Sequence, residues 1–172
     1  MVADGVVPRR LVVTSAHFHR EAAGIMPHNG VRIHVAGVDL IRDEQGTFRV
    51  LEDNVRVPSG VSYVMENRRA MAHVLPEVFA SIRIQPVESY PAQLLRALRA
   101  AAPAGVVDPT VVVLTPGVHN SAYFEHIFLA REMGVPCVVA LKGATHWLKT
   151  GDRVRLDGGA GTVERLDGDS AG

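Results

Sequence analysis

The stretch VAGVDLIRDEQGTFRVLEDNVRVPSG, Val35 to Gly60, decides how this chain is read. Val35 to Arg42 is rich in β-branched residues and reads as a strand. Asp43-Glu44-Gln45-Gly46 is turn chemistry, because glycine reaches the left-handed backbone that a tight reversal requires. Thr47 to Glu52 then returns as a second strand. With Arg42 and Thr47 flanking the turn as a pair, Asp39 falls opposite Val50. Side chains alternate along a strand, so Asp39, Val50 and Glu52 share a face. Asp39 and Glu52 are then diagonal neighbours, roughly 7–8 Å apart. Asn54 has the same parity and extends the row if the strand continues. Two carboxylates and a carboxamide make an oxygen-only ligand set, which hard divalent cations such as Mg²⁺ prefer. The alternative is a solvated acidic hairpin with no ligand.

A chain of 172 residues is enough for one ordinary domain or two small ones. With 47% hydrophobic and 21% charged residues it has the profile of a soluble globular protein. A formal net charge of zero offers no bulk attraction to nucleic acid or to a membrane surface. The single cysteine, Cys137, excludes an internal disulfide, fits a reducing cytoplasm and reads as a buried small hydrophobe. Pro8-Arg9-Arg10 interrupts any apolar leader, and no apolar run approaches the roughly 20 residues of a membrane helix. The expectation is a cytoplasmic protein with neither nucleic acid nor membrane as partner.

Before the hairpin, Leu11-Val12-Val13 is a strand candidate, and Ser15, His17 and Arg20 supply donors in the loop that follows. Val31 to Val35 alternates apolar and basic residues as a half-buried strand would. After the hairpin the period changes. Tyr63, Val64, Asn67, Ala70, Met71, Val74 and Leu75 trace a helical stripe that ends at Pro76, with Tyr63 and Met65 as packing residues. Ser89 is placed to cap a second helix that carries Pro91 in its first turn and buries Leu94, Leu95 and Leu98. Val111 to Leu114 reads as a strand buried on both faces. A loop, a helix from Ala122 to Met133 and a strand from Val135 to Leu141 complete a β-α-β unit with a parallel pair. Ligands of open α/β sheets gather at the carboxyl edge, which makes His119, Asn120, Ser121 and Glu125 site candidates.

The spacing Asp-x12-Glu-x-Asn followed by Pro58-Ser59-Gly60 resembles the metal signature of the ATP-grasp superfamily. The wider wording, GVDLIRD…VLEDNVRVPSGVSYVMENR, resembles its circularly permuted family over about Val7 to Val139. The resemblance implies that Asp39, Glu52 and Asn54 hold the magnesium of ATP. It implies phosphate assistance by Arg42 and Arg56, whose other reading is salt bridging to Asp43 and Asp53. The Ser59-Gly60 turn and the loop His119, Asn120 and Ser121 would face nucleotide or acceptor. The segment LTPGVHNSAYFEHIFLAREMGVP looks like the start of the family's Rossmann-like region, here following the metal hairpin as permutation requires.

Beyond Val139 that resemblance fades. Arg153 to Leu166 reads as a hairpin turning at Asp157 to Gly161, and about 126–166 resembles the end of the mobile domain of phosphoenolpyruvate-utilising enzymes. On that register His126 stands where a phosphorylated histidine would, although Glu125 beside it would disfavour an anionic phosphoimidazole. The fold expected is therefore α/β, in four portions. These are an ATP-grasp metal-site portion (1–60), a helical segment (61–106), a Rossmann-like β-α-β portion (107–141) and a β-hairpin tail (142–172). The function expected is Mg²⁺- and ATP-dependent carboxylate–amine ligation through an acyl phosphate. Its partners would be small-molecule or peptide carboxylates and amines. With no recognisable adenine clamp or lysine pair, the chain is expected to be incomplete alone and open to a partner chain that completes the site. The alternatives are a phosphohistidine carrier using His126 and a non-catalytic nucleotide-binding module.

Overall fold

A computed structural model describes residues 2–55, 58–149 and 151–166. The chain divides into two compact units, Met1–Arg32 and Ile33–Gly172. In the first, helix α1 (Arg9–Val13) takes the place of the strand expected at Leu11 to Val13. Among the described residues no strand is present to pair with that run, and its polar groups close locally instead. Thr14 donates to the Arg10 carbonyl through both its backbone N–H (3.0 Å) and its hydroxyl (2.6 Å). A short 3-10 turn follows at Arg20–Ala22. The strand expected at Val31 to Val35 is also absent. Among the described residues no strand pairs with it, the unit boundary crosses it, and the Val31 N–H is taken by Asn29 Oδ1 at 3.0 Å.

The second unit opens on the hairpin of β1 (Gly37–Arg42) and β2 (Phe48–Asn54), an antiparallel pair. Gly46 takes the left-handed φ of +78° expected of it in the turn. Helices α2 (Val61–Val74), α3 (Pro76–Ser81) and α4 (Tyr90–Ala100) follow. Gly60, at φ +113°, lets the chain swing into α2. The Ser89 side chain does not cap α4; its hydroxyl accepts from Gln93 Nε2 at 2.8 Å, which leaves the helix end to the fixed backbone of Pro91.

Strand β3 (Val113–Thr115), helix α5 (Tyr123–Met133) and strand β4 (Cys137–Val139) form the β-α-β unit with its parallel pair, as the sequence led us to expect. The strands are shorter than expected, and β3 is not buried on both faces: Leu114 is 58% exposed while Thr115 is buried. A two-stranded sheet covered by one helix has only one dry face. A short helix α6 (Ala144–Trp147) leads to β5 (Arg153–Asp157) and β6 (Thr162–Leu166), the antiparallel tail hairpin expected there. The strands therefore form separate two-stranded sheets, joined by helices in a mixed α/β architecture.

The core lies where α5 meets α2, α4 and the parallel pair. Met65, Ala130, Met133 and Val138 are its buried apolar side chains. Tyr63 packs its ring 5.2 Å from that of Phe124, which in turn lies 5.7 Å from Phe128. The Arg69 guanidinium covers Phe128 at 5.6 Å and reaches Glu132 at 3.0 Å, tying α2 to α5 on the wet side. Met65 is 2% exposed, so truncating it leaves a void between those helices. Met65→Ala is expected to destabilise the Ile33–Gly172 unit by about 2–5 kcal/mol, read as a lower urea midpoint with an unchanged slope.

Candidate functional site

The hairpin ladder carries one irregularity, and the site depends on it. From the turn, Arg42 pairs with Phe48, Ile41 with Arg49 and Leu40 with Val50; the next pair is Asp39 with Glu52. Leu51 is thus an extra residue on β2, a bulge that changes the parity of everything beyond it. The simple alternation expected from the sequence placed Asp39 opposite Val50. Instead Val50 goes to the face of Leu40, and Asp39 faces Glu52 directly.

Two carboxylates directly opposed across a ladder repel each other. Asn54, the last residue of β2, relieves this: its Nδ2 donates to Asp39 Oδ2 and to Glu52 Oε1, each at 3.3 Å. The three side chains named from the sequence therefore converge. Asp39 and Asn54 line a cleft of about 830 Å³ together with Gly37, Asp53, Val55, Pro58 and Ser59, and Glu52 joins them through its hydrogen bond from Asn54. Gly37 is required at its edge, because a Cβ there would lie 2.7 Å from the Pro58 Cβ.

This donor set fits a small hard cation. Two carboxylates supply charge, and a half-turn of the Asn54 amide would present Oδ1 in place of the amine end. Among the described residues no group of three or more His, Cys, Asp or Glu side chains is placed to hold a metal ion.

The other residues singled out from the sequence are placed as follows. Arg42 turns away: its Nε donates to the Gly46 carbonyl at 2.9 Å and its guanidinium lies 5.5 Å from the Phe48 ring centre. It is Arg49, not Arg42, that pairs with Asp43, at 2.8 Å. Arg56 lies outside the described residues. Ser59 is exposed on the cleft. The Gly60 N–H meets an anion that belongs to the chain itself, the buried Glu125 carboxylate, at 2.5 Å. The same oxygen accepts from the Ser62 N–H at 3.2 Å and the Ser62 hydroxyl at 2.8 Å.

The loop after β3 opens α5: Asn120 Oδ1 accepts from the Ala122 N–H at 2.9 Å, with His119 and Ser121 exposed. No hydrogen bond among the described residues joins this loop to the acidic cluster. A second cleft of about 430 Å³ sits at the carboxyl end of the parallel pair, between Thr115, Pro116, Val138 and Lys142. His126 Nδ1 lies 2.8 Å from the buried Thr115 hydroxyl, which engages one ring nitrogen in packing α5 on β3. Burial, with the Glu125 charge second, pushes the Tyr90 phenol above its ordinary value, and burial does the same to the Cys137 thiol.

The role of Glu125 in joining two helices was not legible from strand-edge reasoning. The signal available was a lone carboxylate in the apolar run YFEHIF, where a buried charge must find donors elsewhere in the chain.

In chain order, a hairpin with two carboxylates and a carboxamide at its open end precedes a β-α-β unit with a parallel pair. Residues 1–146 match the family described as "A circularly permuted ATPgrasp". The chain belongs to that family. An uncharacterized protein of Mycobacterium tuberculosis is 67% identical over 138 residues, which cover 80% of this chain and 25% of the relative. A candidate glutamate–cysteine ligase of Frankia casuarinae is 48% identical over 138 residues, 80% of this chain and 16% of the relative. An uncharacterized protein of Mycobacterium bovis is 30% identical over 171 residues, so its match extends through the tail hairpin; it covers 97% of this chain and 18% of that relative. The chain thus spans a quarter or less of the length of these relatives.

The turn that holds the hairpin gives a test of pH. Arg49 donates to the Asp43 carboxylate, and the backbone N–H groups of Thr47 and Gln45 add to it, so the Asp43 carboxyl is held below the ordinary aspartate range. A lowered folded-state pKa stabilises at pH above the unfolded value, and the contribution is lost as pH falls through the folded one. A carbon-detected NMR titration is expected to place the Asp43 midpoint below that of an ordinary exposed aspartate and to move it upward in Arg49→Ala.

Proposed function

We propose that this chain supplies the metal-holding part of a Mg²⁺- and ATP-dependent carboxylate–amine ligase. The observation that carries the reading is the convergence of Asp39 and Glu52 on the Asn54 amide, beside a cleft that Asp39 and Asn54 line, in a chain of the circularly permuted ATP-grasp family. Magnesium bound there would neutralise phosphate charge as the γ-phosphoryl group passes to a carboxylate. Asp39 and Glu52 would hold the cation from opposite strands, and Asn54 would turn its carbonyl oxygen inward. The exposed Ser59 would meet phosphate oxygens from the cleft wall. An amine would then displace phosphate from the activated carboxyl group, with no covalent bond to the protein. Arg56 is kept in this proposal as a phosphate contact, and His119, Asn120 and Ser121 as residues facing nucleotide or acceptor.

The similarity to a candidate glutamate–cysteine ligase supports this reaction class and leaves the carboxylate and the amine open. The four-portion division expected from the sequence is carried into the proposal: a metal-site portion, a helical segment, a Rossmann-like portion and a tail. Completion by the remainder of a longer chain, or by a partner chain, is part of the proposal.

Calorimetric titration with Mg²⁺-ATP tests the reading. Saturable binding by the wild-type chain is expected, with at least a tenfold loss in the Asp39→Ala, Glu52→Ala double variant, since removal of metal ligands costs about that much or more. Equal affinity in both proteins would reject the assignment of the trio.

A further inference from the structure

We infer that Glu125 is a positioning residue for the acidic cluster; the inference rests on the ligase reading for its purpose and on geometry for its substance. The carboxylate is 5% exposed, and one of its oxygens accepts three hydrogen bonds from Gly60 and Ser62, at the point where the chain leaves the cleft wall and enters α2. Donors of a helix N-terminus favour a negative partner, and here that partner comes from α5. Two residues before Gly60, Pro58 stands against Gly37 so closely that a Cβ on Gly37 would come within 2.7 Å of it. Gly37 is paired with Asn54, whose amide joins Asp39 to Glu52. A buried charge on α5 is thus linked to the open end of the hairpin through two close contacts, neither of which involves a cluster residue.

The link has a direction. The turn end of the hairpin is closed independently by Asp43, which accepts from Thr47, Gln45 and Arg49. The cluster end has the Pro58–Gly37 contact and the anchor behind it. Releasing the anchor should therefore loosen the pairs Gly37–Asn54 and Asp39–Glu52 and leave Arg42–Phe48 intact.

The experiment compares wild type, Glu125→Gln and Gly37→Ala by amide hydrogen exchange without metal and by Mn²⁺ titration. Glu125→Gln keeps the side-chain shape but replaces the charge that three donors share. The expected result is faster exchange at Asn54, whose pair with Gly37 is a hydrogen-bonded position of the ladder, in both variants, with Arg49 exchanging as in wild type. Mn²⁺ affinity should fall about tenfold, at the low end of what supporting residues around a metal site contribute. Unchanged exchange at Asn54, or equal acceleration along the whole hairpin, would overturn the inference. If the wild-type chain takes no Mn²⁺, the ligase reading fails, and the exchange pattern alone decides whether Glu125 organises the cluster.

Discussion

The carboxylate of Glu125 is the constraint on which the Ile33–Gly172 unit turns. A charge buried to 5% exposure is costly unless hydrogen-bonded, and this one is satisfied by donors more than sixty residues earlier in the chain. The tie sets the start of α2 against α5. Around it the apolar packing is modest: Met65, Ala130 and Met133 are buried and many larger hydrophobes are not. With so thin a core, a polar contact that fixes one helix end against another does more to specify the arrangement than it would in a larger domain. Tyr90, at the start of α4, feels the same charge.

A second constraint is covalent in origin and costs one residue. The Leu51 bulge lengthens β2 by one position relative to β1. Without it, the parity of the hairpin would leave Asp39 facing an apolar partner. With it, both carboxylates meet and Asn54 falls beside them, while Leu40, Val50 and Phe48 collect on the other face. Bulges often occur where a side chain has to be re-aimed, and this one converts a diagonal relation into a direct one.

Much of this could be read in the sequence, for reasons that differ by element. Asp43 to Gly46 announces its turn because glycine and aspartate have local roles, and Gly134 stops α5 at φ +67° for the same reason. The β-α-β order followed from the apolar run Val111 to Leu114, the helical stretch Ala122 to Met133 and the apolar stretch Val135 to Leu141. What escaped was whatever depends on partners far away in the chain. Leu11 to Val13 has strand propensity but no strand to join, and propensity without a ladder yields to a local helix. Ser89 looks like a cap until Gln93 takes its hydroxyl. The trio at Asp39, Glu52 and Asn54 was legible from type and spacing, whereas its register was not, because a bulge leaves no mark in composition. Arg42 was drawn to the cluster by proximity in sequence, yet its side chain closes the turn.

The carboxamide of Asn54 has a consequence for how such a site would be kept. Its amine end lies between two like charges and joins them as a neutral spacer. A dication arriving there would meet ligands already gathered. The rearrangement left to make is the rotation of one small planar group, and the slow step would then be shedding water from the ion rather than reshaping the chain.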